Sequence, residues 1–277
     1  MELTIMSDKY AVVGNPVEHS LSPKIHKLFA EQTQQDLIYE KIRIEIDKFS
    51  ETIKQLRQKG CKGLNVTLPF KQEAFELCDV LSERAKLAGA VNTLIFKADG
   101  TIFGDNTDGL GLIQDIQNNL LFSINNKTVL LIGAGGAAQG VIKPLLDAEP
   151  KSITITNRTA SKAHGLANRF NSGIKSCGFD ELTGHYDCII NATSMGLSDI
   201  EFPLSGSIIK PNSLCYDMVY AKKTAFMKWA AQNNAAIVSD GLGMLVEQAA
   251  ESFYLWRNKR PNSSKILQQL RKILKSY

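Results

Sequence analysis

Short apolar runs alternate along this chain with segments of helical period, and that alternation predicts an α/β fold. Tyr10 to Gly14 reads as a buried strand, Lys24 to Gln34 as a helix and Ile38 to Ile44 as a second strand. Asp47 to Lys59 follows as a helix and Gly63 to Val66 as a third strand. Ser22 is expected to cap the first helix with Pro23 in its first turn, and Pro69 to open a helix running through Cys78. Thr93 to Phe96 and Ile102-Phe103 flank Asp99-Gly100, the signature of a hairpin. An amphipathic helix from Leu110 to Leu121 leads into a strand at Lys127 to Ile132. Further strands are expected at Ser152 to Thr156, Cys188 to Ala192, Leu214 to Met218 and Ala236 to Val238. A long helix from Met244 to Arg257 precedes a terminal one. The reading is of two α/β domains: residues 1–109, with a mainly parallel sheet, and residues 110–240, with the helices of 241–277 packing back onto the first.

At 277 residues the chain is near the upper limit for one core, which agrees with two domains. Hydrophobic residues at 44% and charged residues at 22% are ordinary for a globular protein, so composition favours neither disorder nor a membrane class. No apolar stretch approaches the ~18 residues of a membrane span, and acidic Glu2 stands where a secretory leader carries basic residues. Five cysteines, an odd number without a C-x-x-C pair, fit neither a disulfide framework nor a zinc site. A cytoplasmic protein is expected. The four histidines show no metal-ligand spacing, so no metal is expected.

Net charge of +4 raises the question of an anionic partner, and its distribution answers it. Arg257, Lys259, Arg260, Lys265, Arg271, Lys272 and Lys275 crowd the tail, which has no acidic residue. The same tail carries Ile266, Leu267, Leu270, Ile273 and Leu274 at helical spacing, so it is expected to dock by one face while its lysines stay solvated. Neither a nucleic-acid partner nor a membrane is expected.

The chemistry starts at Gly133-Ala134-Gly135-Gly136-Ala137-Ala138, directly after an apolar strand. Its glycines permit a tight turn and close approach to a pyrophosphate, small Ala138 lets the next helix pack, and that helix start supplies free N–H groups. Roughly 20 residues on, where NAD sites place an acid for the ribose hydroxyl, this chain has Asn157, Arg158 and Thr159, with Lys162 nearby. An acid there repels a phosphate and an arginine binds one. The second domain therefore reads as a Rossmann-type NADP-binding domain, a Rossmann half or slightly more.

Polar clusters stand where the first domain's strands should end: Ser20 with Ser22, Asn65 to Lys71, Asn92-Thr93 and Asn106 to Gly109. In open α/β sheets such loops converge on the ligand, and hydroxyls with amides suit a small polyhydroxylated, neutral-to-anionic molecule. Lys71 falls in a first helical turn, where the dipole disfavours a cation, so it reads as held for chemistry. Asp108 either caps the helix that follows it or approaches Lys71 as an acid-base pair. Which of the two carries the proton stays open.

Together these segments resemble the shikimate dehydrogenase family, in order from about residue 10 to 255. Besides those quoted, Ala88 to Thr93, Asn191 to Gly196 and Asp240 to Ala249 carry the resemblance. It implies NADP-dependent, reversible reduction of 3-dehydroshikimate to shikimate, on the route to chorismate and the aromatic amino acids. It implies that Ser20, Ser22, Asn65, Thr67, Asn92, Asp108 and Gln248 hold substrate, with Tyr220 close by, and that Lys71 and Asp108 are catalytic. Gly133, Ala134, Gly135, Gly136 and Ala137 would hold the pyrophosphate, and Asn157, Arg158 and Thr159 the adenosine phosphate. Thr193, Met218 and Gly241 would line the nicotinamide. Lys162 departs from the family, many of whose members have a second arginine there; a lysine keeps the charge and loses the planar fork. The alternatives are an enzyme acting on quinate with dual or NAD preference, and a module that binds NADP without turnover. A monomer or homodimer is expected.

Overall fold

The computed structural model describes residues 7–170, 173–193, 195, 201–220 and 222–275, so Ser194 and Gly196 of the Asn191 motif lie outside the described residues. The chain up to Gly111 forms one unit together with the segment from Leu245 onward, and Leu112–Met244 form the other.

The first unit runs β1 (Asp8–Gly14), α1 (Ser22–Thr33), β2 (Leu37–Arg43), α2 (Phe49–Gln58), β3 (Cys61–Val66), α3 (Lys71–Leu77), β4 (Val80–Leu81), α4 (Glu83–Ala88), β5 (Thr93–Phe96) and β6 (Ile102–Asp105). Its strands lie in the order β2-β1-β3-β5-β6-β4. Strand β1 is parallel to β2 and β3, and β4 to β6, whereas β5 is antiparallel to both β3 and β6. Tyr10 to Val13 are all buried, as an interior strand covered on both faces requires, while edge strand β2 stays partly exposed. Reversal of β5 has a consequence for function. Its first residue lies where β3 ends, and β6 returns to the same edge, so Thr67, Asn92 and Asn106 to Asp108 collect there.

Two expected helix starts are corrected. Ser22 is the first residue of α1 and not its cap; Leu21 holds the cap position, and the Ser20 hydroxyl accepts the Ser22 N–H at 3.2 Å. Pro69 stands before α3, in a turn closed by the Phe70 N–H on the Thr67 carbonyl at 3.1 Å, so Lys71 itself is the first helical residue.

Helix α5 (Asp108–Gln114) leads into the second unit and loosens into a π turn at Asp115–Asn119. The helix expected over Leu110 to Leu121 thus starts earlier and gives way sooner. Buried Asp115 accepts the Tyr216 hydroxyl at 2.6 Å, and Leu121 ends the segment at φ +54°. There follow β7 (Thr128–Ile132), α6 (Gly136–Asp147), β8 (Ser152–Thr156), α7 (Ala160–Asn168), β9 (Lys175–Cys177), β10 (Tyr186–Asn191), β11 (Ile209–Asp217), α8 (Ala225–Gln232) and β12 (Ile237–Ser239). All pairings are parallel, in the order β12-β11-β10-β7-β8-β9. Counted from β7 this is 3-2-1-4-5-6, the complete Rossmann order and more than the half expected. Strand order reverses between β7 and β10, which is where such folds bind ligands.

Helices α9 (Leu242–Arg257) and α10 (Ser263–Lys275) close the chain. From Leu245 onward they belong to the first unit. Ile266, Leu267 and Leu270 are buried, α10 packs beside α1, and Lys265 and Lys272 remain exposed. The basic tail is a docked amphipathic helix. Among the described residues no helix is long and apolar enough to cross a membrane.

Candidate active site

Lys71 and Asp108 meet. The ammonium donates to Asp108 Oδ2 at 2.5 Å, with both side chains partly exposed. Asp108 begins α5, and the Asn106 side chain accepts its backbone N–H at 3.2 Å, so the carboxylate is not consumed by capping. Its other oxygen accepts the Asn92 amide at 2.8 Å.

Asn92 is the hub of what lies behind. Its carbonyl oxygen accepts the Thr107 N–H and the Thr93 hydroxyl, each at 2.9 Å, and its amide reaches Thr107 Oγ1 at 3.0 Å and Gln248 Oε1 at 3.5 Å. Asn65 donates to the Asn92 backbone carbonyl at 3.2 Å and to Ser252 Oγ at 3.0 Å, and accepts the Tyr39 hydroxyl at 2.7 Å. Burial pushes the Tyr39 phenol well above its ordinary range, which keeps it a donor. With its polar partners satisfied, this layer holds one geometry. Lys71 and Asp108, in front of it, are the more open members of the network.

Lys71, Asp108, Asn92, Asn65 and Gln248 therefore form one network. Ser20 and Ser22 make a separate pair at the start of α1, hydroxyl to hydroxyl at 3.1 Å. Thr67 follows β3 with its N–H on the Val13 carbonyl, and its methyl occupies the space that a Cβ on Gly14 would need. Tyr220, half-buried, belongs to the other unit. Thr93 and Thr107 belong to the polar clusters read from sequence, whereas Tyr39 and Ser252 were not singled out, because nothing local marks a strand or helix hydroxyl as part of a buried network.

In the second unit the glycine-rich turn links β7 to α6. Gly133 has φ +115°, and a Cβ there would lie 2.9 Å from the Thr193 methyl and 3.2 Å from the Ala192 carbonyl oxygen, so its glycine is required by the fold. Gly135, at the cap of α6, and Gly136, its first residue, differ: a Cβ on either meets nothing within 4 Å. That cradle, facing the unpaired N–H groups of a helix start, fits a pyrophosphate. Buried Ala138 packs α6 onto the core. Asn157 donates to the Thr159 carbonyl at 3.0 Å, shaping a loop that leaves Arg158 exposed. Among the described residues neither Arg158 nor Lys162 makes an ion pair.

Strand ends β10 and β11 are joined by a further network that sequence did not reveal. Asn191 accepts the Thr193 hydroxyl at 2.7 Å and donates to Asp217 Oδ1 at 3.2 Å, while Asp217 also accepts the Thr224 hydroxyl at 2.5 Å. Burial raises the Asp217 carboxyl above its ordinary range. Gly241 donates its N–H to Val219 O at 2.9 Å, and a Cβ there would run into the Met218 carbonyl.

Comparison with known proteins places three matches along the chain. Residues 12–94 match the shikimate dehydrogenase substrate binding domain, residues 115–200 the shikimate/quinate 5-dehydrogenase domain, and residues 241–271 the shikimate 5′-dehydrogenase C-terminal domain. Shikimate dehydrogenase (NADP(+)) of Methylobacillus flagellatus is 51% identical over 268 residues, 95% of this chain and 99% of that protein. An Ael1 enzyme from Pseudomonas putida superposes with a TM-score of 0.91 at 43% identity, covering 95% of this chain and 98% of its own. Shikimate 5-dehydrogenase from Thermus thermophilus, solved with NADP(H) and shikimate, gives 0.86 at 31%, covering 96% and 99%.

Proposed function

The chain belongs to the shikimate dehydrogenase family, and from that premise we propose that Lys71 and Asp108 perform the proton transfer of an NADP-dependent, reversible reduction of 3-dehydroshikimate to shikimate. It is an oxidoreductase acting on a CH–OH group, with NADP as its cofactor. The residues present fit that cofactor: Gly133, Ala134, Gly135, Gly136 and Ala137 for the pyrophosphate, Asn157, Arg158, Thr159 and Lys162 for the adenosine phosphate, and Thr193, Met218 and Gly241 for the nicotinamide. When bound, NADPH supplies the hydride.

Lys71 answers the charge that develops on the substrate oxygen. Its ammonium gives that oxygen a proton in the reductive direction, and the neutral amine so formed takes one from the substrate hydroxyl in oxidation. Asp108 holds the ammonium in place, and Asn92 fixes the second oxygen of Asp108, so the pair is preorganised rather than assembled on binding. Ser20, Ser22, Asn65, Thr67, Asn92 and Gln248, with Tyr220, are the proposed substrate contacts. The chain up to Gly111, with the closing helices, is then the substrate and catalytic domain. A small-molecule enzyme of this kind, monomeric or homodimeric, belongs in the cytoplasm, where its five free cysteines stay reduced.

The observation that carries the mechanism is the Lys71–Asp108 contact, backed by Asn92. Lys71→Ala should lower kcat for 3-dehydroshikimate by about 100- to 10,000-fold while substrate affinity, measured by calorimetry, changes little. Preserved turnover in that variant refutes the assignment. Oxidation of shikimate and quinate, each with NADP and NAD, tests the substrate and cofactor; fastest turnover on quinate with NAD would overturn both.

A further inference from the structure

A cleft of about 260 Å³ opens in the second unit beside the glycine-rich turn, between α6 and α7. Ala134 of the turn, Gln139 of α6, and Lys162, Gly165, Leu166 and Arg169 line it. The last four recur at three- and four-residue intervals, which puts them on one face of α7 and its C-terminal cap.

Gly165 sits in the interior of α7, where glycine is the poorest helix former after proline. A Cβ there would meet nothing within 4 Å, so the fold itself does not ask for glycine. What that glycine preserves is the open floor of the cleft, between the two cations that flank it. Arg169, like Lys162, makes no ion pair among the described residues. One arm of its guanidinium donates to Gln139 Oε1 at 3.0 Å. A neutral acceptor thereby anchors the side chain to α6 without neutralising it, and among the described residues no other side-chain partner takes up the remaining guanidinium N–H donors. An open floor, two unneutralised cations and a position adjoining Ala134 describe a site for a small polyanion.

We propose that this cleft is an anion subsite for the phosphate monoester of NADP(H), and that Arg169 determines cofactor specificity there together with Lys162. The proposal rests on the cofactor reading above and extends it. Arg169 supplies the planar, bidentate donor set that Lys162 lacks, and a phosphate monoester has the acceptor oxygens to match it. NAD has a hydroxyl in place of that phosphate and gains nothing from the subsite.

Steady-state kinetics, and calorimetric dissociation constants measured without substrate, of wild type, Arg169→Ala, Gly165→Leu and Arg158→Ala with NADP and with NAD test this, the two kinds of ratio moving together. Arg169→Ala should lower the NADP-over-NAD ratio of kcat/KM about tenfold, the loss of one charge-assisted bond discounted for exposure. Gly165→Leu fills the floor and should lower the same ratio with Tm held or raised, because leucine is the better helix former. An unmoved ratio in both variants overturns the proposal. If Arg158→Ala lowers the ratio while Arg169→Ala does not, the subsite fails and the cofactor reading stands. A wild-type enzyme without preference for NADP sinks the cofactor reading itself.

Discussion

His26 is buried to 0% exposure, neither ring nitrogen is hydrogen-bonded among the described residues, and the ring stacks on Tyr39 at 4.1 Å. Burial drives its pKa down from 6.5 to about 3, with Asn65 pulling weakly the other way. Between those values only the unfolded chain takes up the proton. Stability from this residue is therefore full above about pH 6.5 and is lost as pH falls toward 3. Urea unfolding of wild type and His26→Leu at pH 7, 6 and 5 should show the gap between them change in favour of leucine, by on the order of 1 kcal/mol per pH unit below 6.5. A gap independent of pH would contradict a neutral buried histidine. At this scale the sequence marked Lys71 and Asp108 as candidates and left their partners open. Asp108 was equally readable as a helix cap, and only its distance to Lys71 decides the matter.

Helices and strands of the first unit are tied together by charge behind the site. Arg84 of α4 grips Asp105, the last residue of β6, through two bonds of 2.7 Å, and reaches Glu251 of α9 at 3.0 Å; Arg260 reaches the same glutamate at 2.6 Å. Asn106 to Asp108 follow directly on Asp105, and Gln248 and Ser252 flank Glu251 on α9. Arg84→Met leaves Asp105, 4% exposed on its side chain, with an unpaired charge. It should cost about 3 kcal/mol of unfolding free energy, at the low end for a broken buried pair because Ser82 and the Asn106 N–H still bond the carboxylate. Adding Asp105→Asn should recover part of that loss; a double variant as unstable as the sum of its parts would show that the two residues are not coupled. Elements β4, α4 and β9 escaped sequence reading because two to six residues carry no usable period. The early loosening of α5 escaped it; buried Asp115, where the π turn begins, has its partner Tyr216 101 positions away, beyond any local pattern.

Ligand binding is where the whole molecule reports on its parts. A ligand that binds only the folded chain stabilises it in proportion to its saturation, by about 2.7 kcal/mol at a hundredfold excess over Kd. NADP at that excess should raise Tm, and NAD at the same concentration should raise it less, because Arg158 and Lys162 meet no phosphate. Equal shifts would contradict the reading of the Asn157–Lys162 segment. Net charge was a poor guide to partners at this scale. The basic excess sits in the tail, whose helix α10 has its apolar face buried, and the cations we propose for the cofactor, Arg158, Lys162 and Arg169, lie in the second unit and make no ion pair among the described residues.

Periodicity, turn chemistry and motif spacing are local properties, and they were sufficient to read two α/β units, a glycine-rich strand-to-helix turn and the candidate residues of the reaction from the chain alone. Tertiary structure decided which way β5 runs, and hence that Asn92 joins Asn65 and Asp108 at one edge. It decided that Asp108 pairs with Lys71 across 37 positions, and that Asn191 and Asp217 share a buried network. The reason is physical. A polar side chain carries no mark of its partner, and the choice among many possible hydrogen bonds is made only when packing has removed water and left one acceptor within reach.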